Sequence, residues 1–111
     1  MFFAAKINGA AEIAGVKITR VRSASDLIAY VEKNSAGLVI IDLNSSKLDP
    51  LRTIRYLKSK AELKAIPVIG FVSHVQADLI NAAQRAGCDH VMPRSAFSKK
   101  LPDLLSLPLK L

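Results

Sequence analysis

No stretch of this chain approaches the roughly 18 to 20 consecutive apolar residues that span a bilayer. Half of its 111 residues are hydrophobic, but charges interrupt every apolar run, so a membrane-spanning protein is not expected. Cysteine is nearly absent. Cys88 alone rules out an internal disulfide and fits a reducing, cytoplasmic setting, and in Ala86-Gly87-Cys88 it reads as a small buried side chain. The N-terminus lacks a basic region ahead of an apolar one and a cleavage site, so a signal peptide is not expected. A Gly-rich phosphate loop, a nucleophile elbow and a CxxC pair are missing too, which argues against an enzyme. There is no internal repeat, low-complexity segment or linker, and a single domain over 1–111 is expected.

Acidic residues are scarce, 9 against 16 Lys and Arg, for a net charge of +7. Such a balance raises nucleic acid or an acidic protein surface as a partner. The basic residues are nevertheless spread from Lys6 to Lys110, with one loose cluster of Arg52, Arg55, Lys58, Lys60 and Lys64. At about 100° per residue Arg52, Arg55 and Lys58 share one side of a helix, beside an apolar arc of Ile54, Leu57 and Ala61, which reads as a solvated face. No aromatic interleaving or recognition motif supports a nucleic-acid-binding module.

What is present is an alternation of strands and helices. Leu38-Val39-Ile40-Ile41-Asp42 is an aliphatic run ending in one carboxylate, and reads as a strand buried on both faces with Asp42 at its carboxyl end. In open parallel α/β sheets ligands and chemistry are found at that end. Before it, Lys17 to Val21 alternates like a half-covered strand, and Ser25-Asp26 opens an amphipathic helix that Asn34 to Gly37 ends. After it, Asp49-Pro50 supplies a helix cap and a first-turn proline for a helix running to about Ala65. Pro67 to Val72 is a second doubly buried strand. Ser73, three residues before Gln76, has capping-box spacing for a helix ending at Ala86-Gly87. His90-Val91-Met92 makes a short last strand, and Ser95 caps a final helix around Phe97 to Leu105, kinked or slowed at Pro102. Parallel neighbours need crossover connections, so the fold class is α/β, a doubly wound parallel sheet.

The N-terminal segment departs from this pattern. A strand over Phe2 to Ile7 would leave only Asn8 to Val16 for a crossover, shorter than the dozen or so residues usually needed. Phe3, Ile7, Ala10 and Ala14 instead fall at helical spacing before a stop at Gly15. The chain is therefore expected to begin with a helix, the preceding strand being missing or replaced.

Together these registers resemble the receiver domains of two-component response regulators, which have a flavodoxin-like five-stranded sheet of order 2-1-3-4-5. The likeness covers nearly the whole chain after Gly15. It implies that the missing first strand is central, between the second and third, so its place would be taken by direct pairing of those two strands, by another segment such as the apolar tail Leu105 to Leu111, or by exchange between subunits in a homodimer. Asp42 fills the position of the phosphoryl-accepting aspartate at the end of the third strand. Asp49-Pro50 stands where receivers commonly have Asp-Gly. Pro67-Val68 leads to Val72 and Ser73 where the fourth strand ends in Thr or Ser. Ala86-Gly87-Cys88-Asp89 leads to Arg94-Ser95 where an Ala-Gly-Ala-Asp turn leads to Lys-Pro.

The resemblance implies a pocket of Asp42, Asn44, Val72, Ser73 and Arg94, with Asn44 where receivers lend a backbone carbonyl to Mg²⁺. It also implies a histidine kinase or an output protein as partner. The departures weigh against the chemistry. By the family's spacing the acidic metal ligands would precede residue 1, and the first acidic residue of the chain is Glu12. Val72 has no hydroxyl, Ser73 substitutes only if the strand end shifts by one residue, and a guanidinium does not reproduce the point contact of lysine. Asp42 is then a carboxylate accepting backbone N–H bonds and pairing with Arg94. His74, just inside a helix N-terminus, lacks companions at ligand spacing, and His90 reads as a surface residue. The resulting expectation is a receiver-like domain acting by protein–protein contact, without cofactor, unless acidic residues are supplied from outside this sequence. In that alternative Asp42 is a working phosphoacceptor.

Overall fold

The structure, a computed structural model, describes residues 19, 21–34, 37–73 and 76–106, with side chains as far as 103. In chain order the elements are α1 (Ala24–Lys33), β1 (Val39–Asp42), a 3-10 turn (Ser46–Leu48), α2 (Pro50–Ser59), β2 (Val68–Val72), α3 (Ala77–Ala86), β3 (His90–Pro93) and α4 (Arg94–Ser106). The described strands form one parallel sheet in the order β1-β2-β3, with Ile40 aligned on Ile69 and Ile69 on His90. That order matches the last three strands of the expected topology. The N-terminal helix, the missing first strand, His74 and the apolar tail beyond Ser106 lie outside the described residues. Of the strand expected over Lys17 to Val21, Thr19 and Val21 are described and neither joins a strand. The Thr19 hydroxyl donates to that of Tyr30 at 3.1 Å, and Val21 packs on the core.

Alternate strand residues face opposite layers. Val39, Ile41, Val68 and Val72 join Leu27 and Val31 of α1, Ile54 and Leu57 of α2, and Ala83 and Ala86 of α3 in one apolar cluster. On the other face of β2 lie Ile69 and Phe71, both buried, and the Phe71 ring stacks on Phe97 of α4 at 5.2 Å between centroids. Helices thus cover both faces, as a doubly wound sheet requires. Each fully buried side chain of this size contributes about 1.5–3 kcal/mol. All five β2 residues are buried, as the sequence suggests, whereas β1 alternates, with Ile40 and Asp42 only half-buried.

Several element boundaries differ from expectation. Ser23 rather than Ser25 caps α1: it has extended backbone, and its hydroxyl accepts the Asp26 N–H at 3.2 Å. Helix α2 stops at Ser59, six residues early, and Ala61 is exposed rather than part of an apolar arc. The cause is Lys58. Its ammonium turns inward and donates to the carbonyls of Lys64 at 3.1 Å and Ile66 at 2.9 Å, folding the segment after the helix back on itself. It also pairs with Asp89 at 2.7 Å, and the same Asp89 oxygen accepts the Val68 N–H at 2.7 Å. Lys58 therefore does not belong to a solvated face. Helix α3 has Gln76, not Ser73, at its N-cap, and α4 begins at Arg94 directly after Pro93, leaving Ser95 inside its first turn.

Helix α3 ends at Gly87 as expected, with φ 108°, its N–H returning to Ala83 and Gln84 carbonyls. A Cβ there would lie 2.9 Å from Lys58 Cγ. Gly87→Ala is accordingly expected to lower stability by about 1–3 kcal/mol in urea denaturation, through left-handed backbone strain together with that clash.

Cys88 is buried, as anticipated, and donates to the His90 carbonyl at 3.1 Å. Burial pushes its thiol up from 9.0 to about 11, although backbone hydrogen bonds from Gly70 and His90 act the other way. Between pH 9 and 11 the unfolded chain therefore loses a proton that the folded chain keeps. Stability is expected to fall as pH rises through that window. The difference in unfolding free energy between the wild type and Cys88→Ala should narrow correspondingly.

Candidate functional site

Asp42 ends β1 at the carboxyl edge of the sheet, half-buried, aligned with Phe71 and so on the same face as its ring. Strand β2 sets the course of the chain beyond it. Gly70 has no side chain, and the Leu43 side chain fills that space: a Cβ on Gly70 would fall 2.9 Å from Leu43 Cδ1. Leu43 is buried there and its N–H donates to the Phe71 carbonyl at 2.9 Å, which turns the chain over the sheet edge. Asp42 Oδ1 then accepts the Asn44 N–H at 2.9 Å, the turn that an Asp two residues ahead of a donor characteristically makes. The expectation that the carboxylate accepts backbone N–H is met in this one bond.

Asn44 carries the remaining geometry. Its Oδ1 accepts the Ser73 N–H at 2.9 Å and its Nδ2 donates to Gln76 Oε1 at 2.8 Å. The side chain thus bridges the ends of β1 and β2 to the cap of α3. Val72 is the last residue of β2, fully buried in the apolar cluster, and Ser73 lies just beyond the strand, exposed. The strand end does not shift, so Ser73 does not take the hydroxyl position.

Arg94 begins α4 with its guanidinium 5.9 Å from the centroid of the Phe71 ring. Among the described residues no ion pair joins it to Asp42, which corrects the expected pairing. Phe71, next to Asp42 in register, offers the guanidinium an aromatic face instead. Phe71 is not singled out by the sequence, and Gln76 is marked there only by its capping-box spacing from Ser73. The Asp-x-Asn spacing of Asp42 and Asn44 carried the turn signal, but nothing local announced the bridge to Gln76.

The donor set can be compared with what a hard divalent cation requires, namely several converging oxygen ligands. Among the described residues no three His, Cys, Asp or Glu side chains converge. One Asp42 oxygen is engaged by its own loop and both ends of the Asn44 amide are used within the chain. The described residues therefore do not by themselves make a Mg²⁺ site. His90 lies exposed at the start of β3, as read from sequence.

No protein-family model matches the chain, and no curated protein matches it by sequence. Solved structures do match in fold. The phosphorylated cyanobacterial phytochrome response regulator RcpA aligns with TM-score 0.76 at 22% identity, over 93% of this chain and 80% of that one. Response regulator RPA3017, in red light signalling of R. palustris, aligns with TM-score 0.78 at 14% identity, over 99% and 92%. HP1043, an orphan response regulator of H. pylori, aligns with TM-score 0.71 at 15% identity, over 94% and 87%. The chain has the fold of response-regulator receiver domains. Among the described residues, no helix is long and apolar enough to cross a membrane.

If Val72 is a packing residue, giving it a hydroxyl has a cost. Val72→Thr is expected to lose about 1–3 kcal/mol in urea denaturation, because the oxygen enters the apolar cluster without a partner.

Proposed function

We propose that this chain is a receiver-like signalling domain that acts by protein–protein contact and does not run a normal Mg²⁺-dependent phosphorylation cycle. The observation that carries the reading is the position of Arg94, stacked on Phe71 instead of paired with Asp42. Phosphoryl transfer to a carboxylate needs cationic groups arranged around the charge that develops on the transferred oxygens. At the end of β1, Asp42 is bonded to the Asn44 N–H and aligned in register with Phe71. Val72, buried and aliphatic, adds no donor.

In receivers the surface of the fourth helix, fifth strand and fifth helix usually meets the partner. Here that surface corresponds to Gln76 to Ala86, His90 to Arg94 and Phe97 to Leu105. Leu79, Ile80 and Val91 there are partly buried against the core, and Arg85, Lys99 and Lys100 are exposed. A protein partner, an output protein or a histidine kinase, is the expected occupant. The site uses no cofactor in this reading, and the domain is not an enzyme.

Incubation of the protein with acetyl phosphate and Mg²⁺, followed by intact-mass measurement, is expected to leave the chain without a phosphoryl adduct. A clear adduct that disappears in Asp42→Asn would overturn the proposal and establish Asp42 as a working acceptor.

A further inference from the structure

We infer that Asn44 is a positioning residue that couples the Asp42 carboxylate to the start of α3. Its three polar groups serve three different elements. The backbone N–H is held by Asp42 Oδ1 at 2.9 Å, the amide oxygen holds the Ser73 N–H at 2.9 Å, and the amide nitrogen holds Gln76 Oε1 at 2.8 Å. The orientation of the amide follows from the Ser73 N–H, which can only donate: the group facing it must be the oxygen. Gln76 occupies the N-cap of α3 without making a side-chain cap bond to its own helix, so its carboxamide is committed to Asn44. The Gln76 carbonyl accepts the Ile80 N–H at 2.9 Å, which joins the bridge to the first turn of α3.

The route does not need a hydroxyl at the end of β2, where this chain has Val72. Any event that draws Asp42 Oδ1 away from the Asn44 N–H removes the acceptor that fixes the Asn44 turn. The side-chain bridge loses its aim with it. Loosening of α3 would reach the partner surface only on the function proposed above. The coupling itself is internal to the chain and stands apart from that function.

The test is a double-mutant cycle of Asp42→Ala and Asn44→Ala in the full chain, read by amide hydrogen exchange without acetyl phosphate or partner. Either substitution is expected to speed exchange of Ser73 and Ile80 by about three- to tenfold, the scale of one net hydrogen bond, while Ile69 and Phe71 amides keep their protection. The double variant should exchange no faster than the faster single one. Asn44→Asp keeps an acceptor for Ser73 and lets the Gln76 carboxamide rotate to donate, so protection at both amides should be retained. Multiplication of the two single effects in the double variant would overturn the inference, as would unchanged exchange in Asn44→Ala or a loss in Asn44→Asp equal to that in Asn44→Ala. Formation of a phosphoryl adduct in the acetyl phosphate experiment would leave each of these outcomes unaltered.

Discussion

A strand with no solvent-facing side has almost no freedom of register, and Val68–Val72 is such a strand. A slip by one residue would exchange Gly70 with Ile69 or Phe71 and drive a large side chain into the space that Leu43 occupies. With register fixed, the two ends of β2 dictate what lies beside them. At the carboxyl end Leu43 docks over Gly70, the chain turns, and Asp42 and Asn44 take their places. At the amino end the Val68 N–H meets Asp89 and, through it, Lys58. The layer of α1, α2 and α3 and the layer of α4 are built on opposite faces of the same five residues.

Those five residues were legible in the sequence because burial on both faces leaves an uninterrupted apolar run. The apolar run also marked the position of β1, although its burial alternates, while residue type alone marked the stop at Gly87 and the buried thiol of Cys88. Boundaries governed by side-chain reach were not legible. Lys58 ends α2 by bonding carbonyls six and eight residues ahead, an effect no propensity records, and helical spacing placed it with the solvated Arg52 and Arg55. Ser23 and Ser25 are equivalent as caps on composition alone. The difference is an extended backbone at Ser23.

The candidate site divides in the same way. Position along a strand is a local property, and it put Asp42 at the sheet's carboxyl edge and Val72 at the end of β2. The partners of those residues depend on which side chains converge from distant segments. The sequence offered Asp42 as the partner of the Arg94 guanidinium; that an aromatic face lies beside it follows from the parallel register, which sets Phe71 next to Asp42. An asparagine two residues after an aspartate suggested a turn. That its amide would span 29 and 32 residues to Ser73 and Gln76 required the assembled sheet.

The contact between Gly87 and the stem of Lys58 binds two distant positions into one choice. The lysine reaches three oxygens only by running close along the backbone at residue 87, and the backbone there can be that close only because it carries no Cβ. In descendants of this chain the two sites are therefore expected to drift together. An alanine at 87 calls for a shorter residue at 58, and the loss of the lysine relaxes the demand for glycine to the backbone angle alone. Coordinated substitution at 58 and 87 would be the mark that this corner of the fold leaves on a lineage.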